Sequence, residues 1–448
     1  MQQSDKVMEQ PVPKTSTTHT VEKVKEVRGI VKSLYTRAHE AKAQGRPVAY
    51  CMAVSDLEEI LRAMDITPIY TENYGGLCAA KREAERFLSE ADADGYSMDI
   101  CGYVRTGLGF DYLRHELGEI PPNSPDGGMA EPDMMLGSSN ACDPRFKWYQ
   151  ALGRYKEVPT YSHDMVIPPV DADLKEVTGY YIKYQTAQFQ ELIGFLEEQL
   201  GRKFDYDRFC EIMRISTETY TVWWECYQLR KASPCPMPSE DAFSAMVPAY
   251  FTLGTQEGLD FYRELYTEVK QRVDDKLGVV PEEKYRLLWG YGLPPWHTLK
   301  VFNLFKNKGA VFCIETRSTY APAPPVDVPV KLEDDPVGYL AWRYFLRNTH
   351  WHERAMAGPR NIFTQEIMEA VKDYNTDGVV MHASRTCRSS TMGERFIADT
   401  VQEYAKIPVL QLTSDIIDVR DFSEAEWNTS IEAFIEAVDV NKKSQRDK

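Results

Sequence analysis

The sequence predicts an α/β protein built as two flavodoxin-like parallel-sheet domains with a helical insertion between them. Three observations carry that expectation. Short apolar runs bounded by turn residues, clearest at 47–54 and 377–382, alternate with helix-length amphipathic stretches, the pattern of strand–loop–helix repeats. The alternation occurs twice, over 46–170 and again over 281–448. Between them, over 171–280, strand signals vanish and helical stretches dominate.

Residues 1–45 read as a polar tail with Pro11, Pro13 and a Ser/Thr run, followed by a helix over 21–44. The run Pro47-Val48-Ala49-Tyr50-Cys51-Met52-Ala53-Val54 reads as a buried strand. Ser55 or Asp56 caps a helix over 57–64, with Glu58 and Glu59 in its first turn, where the helix dipole favours carboxylates. Pro68-Ile69-Tyr70 is the next strand, 81–91 a helix, and an extended run over 95–100 leads to Cys101. Asp133-Met134-Met135-Leu136-Gly137 is strand-like and leads to Cys142, after which a helix restarts over 146–152. The helical region holds stretches at 180–200, 206–231 and 241–253, broken by Pro234, Pro236 and Pro238.

The second block opens with a strand at 285–290. A Pro294-Pro295-Trp296-His297 turn leads to a helix over 298–306 and a strand over 310–315. Helices at 338–346 and 358–374 precede the strand at 377–382, which leads to Cys387 and a helix over 393–404. The last strand, 407–412, is followed by Asp415 and Asp418. No repeat occurs at solenoid spacing, and the two blocks are compatible with distant copies of one plan.

A length of 448 residues with 43% hydrophobic and 27% charged residues supports substantial cores. The net charge of −16 argues against a nucleic-acid partner, since phosphate binding needs clustered Lys and Arg. Met1-Gln2-Gln3-Ser4-Asp5-Lys6 lacks the apolar core of a secretory signal, and no run reaches the roughly 18 apolar residues of a membrane helix. The expectation is a cytoplasmic protein with no membrane partner.

Nine cysteines with no CxxC pair mean that any metal site must be assembled from distant loops. Cys51, Cys210, Cys226 and Cys313 lie in apolar stretches and read as core. Cys78 follows Gly75-Gly76, and Cys235, between prolines, reads as surface. Cys101, Cys142 and Cys387 each follow an extended run and precede a helix. Ligands of open parallel sheets sit beyond the carboxyl ends of strands, and all three are expected there. Three thiolates so placed can hold a 4Fe-4S cluster and leave one iron open to water or substrate. His297, His382 and the pair His350 and His352 are candidate proton donors, and Glu59 is a candidate carboxylate. No GxGxxG, GxxxxGK[ST] or HExxH motif occurs, so the chain carries no dinucleotide, ATP or zincin signature of its own.

These motifs together resemble the 2-hydroxyacyl-CoA dehydratase and benzoyl-CoA reductase family. The resemblance runs through Glu59-Ile60-Leu61-Arg62-Ala63, Cys101-Gly102-Tyr103-Val104-Arg105 and Asn140-Ala141-Cys142-Asp143. It continues through the run 284–295, Gly309-Ala310-Val311, Asp377-Gly378-Val379-Val380, Cys387, Ile407-Pro408-Val409-Leu410 and Asp418-Val419-Arg420, covering about 46–440. The run 282–296 is most similar to the larger active-site subunits of ATP-dependent benzoyl-CoA reductases. The resemblance implies a 4Fe-4S cluster on Cys101, Cys142 and Cys387 and an acyl-CoA thioester substrate. It implies a homologous second active-site subunit, ATP-hydrolysing iron–sulfur activator subunits and ferredoxin as electron source. The expected reaction is reduction of the benzoyl-CoA ring to a cyclic diene. Dehydration of a 2-hydroxyacyl-CoA and a non-catalytic electron-relay role are the alternatives. The family often has Ser after the first ligand, where this chain has Gly102, and a hydroxyl residue in the first strand, where it has Cys51-Met52-Ala53.

Overall fold

The computed structural model describes residues 20–139, 142–316, 322–350, 352 and 362–446. The expected tail, Asn140 and Ala141 of the second ligand motif, Trp351, and the start of the 358–374 helix lie outside the described residues.

Two four-stranded parallel sheets organise the chain. The first contains β1 (Val48–Cys51), β2 (Thr67–Tyr70), β3 (Met134–Ser138) and β4 (Thr160–His163), in the order β2-β1-β3-β4. The second contains β5 (Tyr285–Gly290), β6 (Ala310–Thr316), β7 (Gly378–Ser384) and β8 (Val409–Ser414), in the order β6-β5-β7-β8. Both orders are second-first-third-fourth, the flavodoxin-like arrangement. Helices cover the sheet faces, so β1 and β3 are buried throughout and read as unbroken apolar runs, not alternating ones.

Four long helices lie between the sheets in sequence: Leu174–Leu200, Tyr206–Leu229, Ser239–Phe251 and Gln256–Asp274. Three start on side-chain caps. Asp173 accepts from the Lys175 amide at 2.9 Å, Asp205 from Arg208 at 2.9 Å and Thr255 from Gly258 at 3.1 Å. Trp223 is fully buried among Tyr250 and Tyr262, with ring centroids 5.6 and 5.7 Å away. This region is bound to both sheets. Arg62, in the helix after β1, donates to the carbonyl of Leu253 at 2.6 Å. Arg230 grips Glu315 of β6 with two bonds of 2.9 and 2.8 Å.

Several elements differ from expectation. β4 and the helix Thr71–Ala80 carried no strand or helix reading, and neither did the C-terminal helix Glu424–Arg446. β4 reads Thr-Tyr-Ser-His and is half-exposed on the sheet edge, so its pairing to β3, not an apolar pattern, makes it a strand. The first strand stops at Cys51, because the chain turns through Val54 and Asp56, both with positive φ, before the helix Glu58–Ala63. No strand precedes Cys101: it follows the helix Ala84–Ala93 and a loop, inside the long β2–β3 crossover.

Candidate functional site

Cys101, Cys142 and Cys387 share one local device. Each is the N-cap residue of a helix: Gly102–Leu117, Asp143–Leu152 and Arg388–Thr391 respectively. The positive end of a helix and its free amides favour a thiolate. Cys142 leaves β3 and Cys387 leaves β7, so they occupy matching positions, beyond the third strand of each sheet.

Contacts between their chain neighbours bring the three loops together. The Gly102 amide donates to Thr386 Oγ1 at 3.3 Å, joining the residue after Cys101 to the residue before Cys387. Arg388 and Asp143, the residues after Cys387 and Cys142, stand 3.8 Å apart. A cavity of about 210 Å³ is lined by Ile100, Cys101, Asp143, Pro144, Thr386 and Arg388, among others. All three thiols are half-buried.

Cys101 and Cys142 also feel the charge of neighbouring thiols. Burial pushes Cys101 well above the ordinary thiol range, and Cys387, Cys142 and Asp415 add to the rise. Burial likewise lifts Cys142 to about 11, although the Arg145 guanidinium opposes it. Without a cation among them, three thiolates here repel one another, and a bound metal centre would reverse that balance. Among the described residues, no three His, Cys, Asp or Glu side chains close on one point as a single ion would need. A cubane cluster imposes no such convergence, because its irons take thiolates at separate corners. An all-sulfur donor set at three helix N-termini suits that group.

The other candidates are placed as follows. His382 is fully buried in β7. Its Nδ1 contacts the Leu293 carbonyl at 2.5 Å and its Nε2 the Ser414 hydroxyl at 2.8 Å, so both nitrogens are engaged. Burial lowers it to about 4, leaving a neutral ring. His297 is buried too, with Nε2 3.0 Å from the Asp415 carbonyl, while its Nδ1 has no partner among the described residues. Asp415 links it to the surroundings of Cys101. His352 contacts the Pro168 carbonyl at 3.0 Å and His350 the Arg347 carbonyl at 2.7 Å.

Glu59 is fully buried and bonded to Arg343, which also donates to Ser216 at 2.7 Å. Burial alone would raise Glu59, but the Arg343 guanidinium and the Ser216 hydroxyl bring it below the usual value. Its neighbour Glu58 shows the opposite state. Burial, then the charges of Glu59 and Asp56, raise it to about 8, and its Oε1 has no partner among the described residues. Two adjacent carboxyls, one held ionised and one held protonated, thus stand just past β1, at the crevice where such sheets bind ligands. Sequence reading placed Glu58 only in a helix first turn. Its neutral state comes from burial and from the negative charges of Glu59 and Asp56, which are themselves paired with Arg343 and Arg347, almost 300 residues away in sequence.

Among the remaining cysteines, Cys51, Cys78, Cys226 and Cys313 are buried, whereas Cys210 is half-buried against the Leu332 carbonyl. Cys235, expected at the surface, is fully buried. Its sulfur lies 3.2 Å from the Met237 carbonyl and faces Cys313, because the proline turns fold inward against β6.

Residues 57–438 match the family described as "2-hydroxyglutaryl-CoA dehydratase, D-component". The chain belongs to this family. Among curated proteins, it is 29% identical over 421 residues to the (R)-phenyllactyl-CoA dehydratase alpha subunit of Clostridium sporogenes, covering 94% of this chain and 96% of that one. It is 28% identical to the (R)-2-hydroxyisocaproyl-CoA dehydratase alpha subunit of Clostridioides difficile, covering 94% and 98%. It is 26% identical to a benzoyl-CoA reductase subunit from Thauera aromatica, covering 91% and 92%. These relatives are named as subunits of dehydratase or reductase complexes. Among the described residues, no helix is long and apolar enough to cross a membrane.

Proposed function

We propose that this chain is the iron–sulfur active-site subunit of an enzyme that passes single electrons into an acyl-CoA thioester, with dehydration of a 2-hydroxyacyl-CoA as the reaction. One observation carries the reading: three cysteines from separate stretches, each at the start of a helix, are brought together around one cavity that Cys101 lines with Asp143, Thr386 and Arg388, the chain neighbours of the other two, and the charges of Cys142 and Cys387 bear on Cys101. In this reading Cys101, Cys142 and Cys387 hold a 4Fe-4S cluster. When bound, that cluster supplies a low-potential electron and one open, Lewis-acidic iron.

The protein's part is positioning and proton management. At Cys101 and Cys142 the amides of the following helix turn favour the thiolate. Protonated Glu58 is a proton source and ionised Glu59 an acceptor at the β1 crevice, their states set apart by environment. His297, with one free ring nitrogen, is the histidine best placed to move a proton, while His382 serves the framework. Dehydratase subunits at 29% and 28% identity over nearly their full lengths support the dehydration reading.

Reduction of the benzoyl-CoA ring is the second reading. It is supported by the run 282–296 with Gly309-Ala310-Val311 and by the 26% relative. Both readings require a homologous second subunit, an ATP-hydrolysing iron–sulfur activator and reduced ferredoxin, consistent with the lack of a phosphate-loop motif here.

The test is anaerobic. Iron and sulfide are measured on the purified protein, and the assembled complex is given a 2-hydroxyacyl-CoA and benzoyl-CoA in separate reactions. Enoyl-CoA product sustains the first reading and a cyclic diene the second. A colourless, iron-free protein after anaerobic purification would refute both.

A further inference from the structure

The Cys101 loop belongs to the first sheet's domain and the Cys387 loop to the second's, and a buried polar strap connects them. Its anchor is Asp415, fully buried just past β8. Asp415 Oδ1 accepts from the amides of Ile417 at 2.8 Å and Asp418 at 2.9 Å. Its Oδ2 accepts from the Thr386 hydroxyl and, at 3.4 Å, from the Ser384 hydroxyl. With its proton committed to Asp415, the Thr386 oxygen turns a lone pair to the Gly102 amide, 3.3 Å away. One hydroxyl therefore stands a single residue from each of two thiols that are 286 positions apart in the chain.

The loops approach so closely that residue 102 must lack a side chain. A Cβ there would lie 2.7 Å from Asp415 Oδ1 and 2.8 Å from Ile417 Cβ. Arg105, one turn further along, crosses the same seam to Asp418 at 3.1 Å.

We propose that Thr386 and Asp415 are positioning residues that set the register between Cys101 and Cys387, so that two domains present their thiols to one cluster. Neither is a ligand. The inference rests on the reading that these thiols hold iron. Its structural half, the strap itself, can be measured without metal.

The experiment compares wild type with Thr386→Val, Thr386→Ser, Gly102→Ala and Cys387→Ala. Hydrogen exchange at the Gly102 amide is followed in metal-free, reduced protein. Iron content and the broad cluster absorption are followed after anaerobic reconstitution. Thr386→Val should expose the Gly102 amide and weaken iron retention by ~10-fold or more, the scale at which supporting groups around metal ligands act. Thr386→Ser, which keeps the hydroxyl, should restore both readouts. Gly102→Ala, which spares the strap residues but forces the loops apart, should reproduce the double loss and decides the matter if Thr386→Val does not fold. Wild-type exchange and wild-type iron in both Thr386→Val and Gly102→Ala would overturn the proposal. A full cluster in Cys387→Ala would instead overturn the ligand assignment and with it the proposed register role, while the exchange data would still report whether the strap exists.

Discussion

The two sheets share a strand order but not a way of supplying thiols. In each, the third strand runs out to a cysteine that caps the next helix: β3 to Cys142 and β7 to Cys387. The third thiol breaks the pattern, since Cys101 is delivered by a loop between two helices inside the β2–β3 crossover. The first-strand exits diverge as well. β1 opens onto Asp56, Glu58 and Glu59, whereas β5 opens onto the Pro-Pro-Trp-His turn and buried His297. A duplicated topology therefore supplies two equivalent cysteines, and an asymmetric insertion supplies the third. The paired carboxyls belong to one domain alone.

That comparison can be broken most decisively at the cysteines. Replacing Cys101, Cys142 or Cys387 by Ala, one at a time, should abolish stoichiometric iron and activity in each case. Iron analysis that found Cys101→Ala fully loaded would leave only the two topologically matched thiols as ligands.

Two buried ion pairs tie distant parts of the chain together, Arg343 of the helix Pro336–Thr349 to Glu59 past β1, and Arg230 of the helical region to Glu315 of β6, and the next largest effect should come from them. Arg343→Met strands Glu59, and Arg230→Met strands Glu315, both fully desolvated. Each should cost about 3–5 kcal/mol in urea unfolding, because the surviving carboxylate is left buried without its cation. A cost under ~1 kcal/mol at Arg343 alone would show that the contact between the second block and the β1 crevice carries little of the stability, and one at Arg230 alone would show the same for the helical region's hold on β6.

Glu58 sharpens the asymmetry through pH. Its folded pKa of about 8 lies above the ordinary value of 4.5. The fold thus holds the proton more tightly than the unfolded chain. This contribution is complete below pH 4.5 and is lost as pH rises to about 8. Glu58→Gln should flatten stability across that window, recovering roughly 2–4 kcal/mol relative to wild type at its alkaline end. Parallel wild-type and variant curves would refute the protonated assignment.

The smallest effect is expected at Arg388. Its contact with Asp143 is long and exposed, so Arg388→Ala should change stability by less than ~1 kcal/mol.

Much of the architecture was legible because the relevant forces are local. The apolar runs at β1, β3 and β7 need only be buried on both faces to read as parallel strands. The helix expected from 206 starts at Tyr206, on the Asp205 cap, whereas the one expected from 180 starts at Leu174, on a cap at Asp173 that periodicity alone does not reveal. β4 escaped because a polar edge strand is made by its neighbour's hydrogen bonds and not by its own pattern. Cys235 escaped because proline turns look alike whether they face water or a sheet.

By itself the sequence determined the two strand–helix blocks, the helical stretch between them and the placing of Cys142 and Cys387 after strands, all of them products of short-range propensity and periodicity; that Cys101 follows a helix and a loop was not legible. Only the tertiary structure decided that Glu58 is protonated while Glu59 is ionised, that His382 has both nitrogens occupied, and that Thr386 sits against Gly102. Those outcomes depend on desolvation and on partners hundreds of residues away, and no local pattern encodes which charge a folded chain will bring beside another.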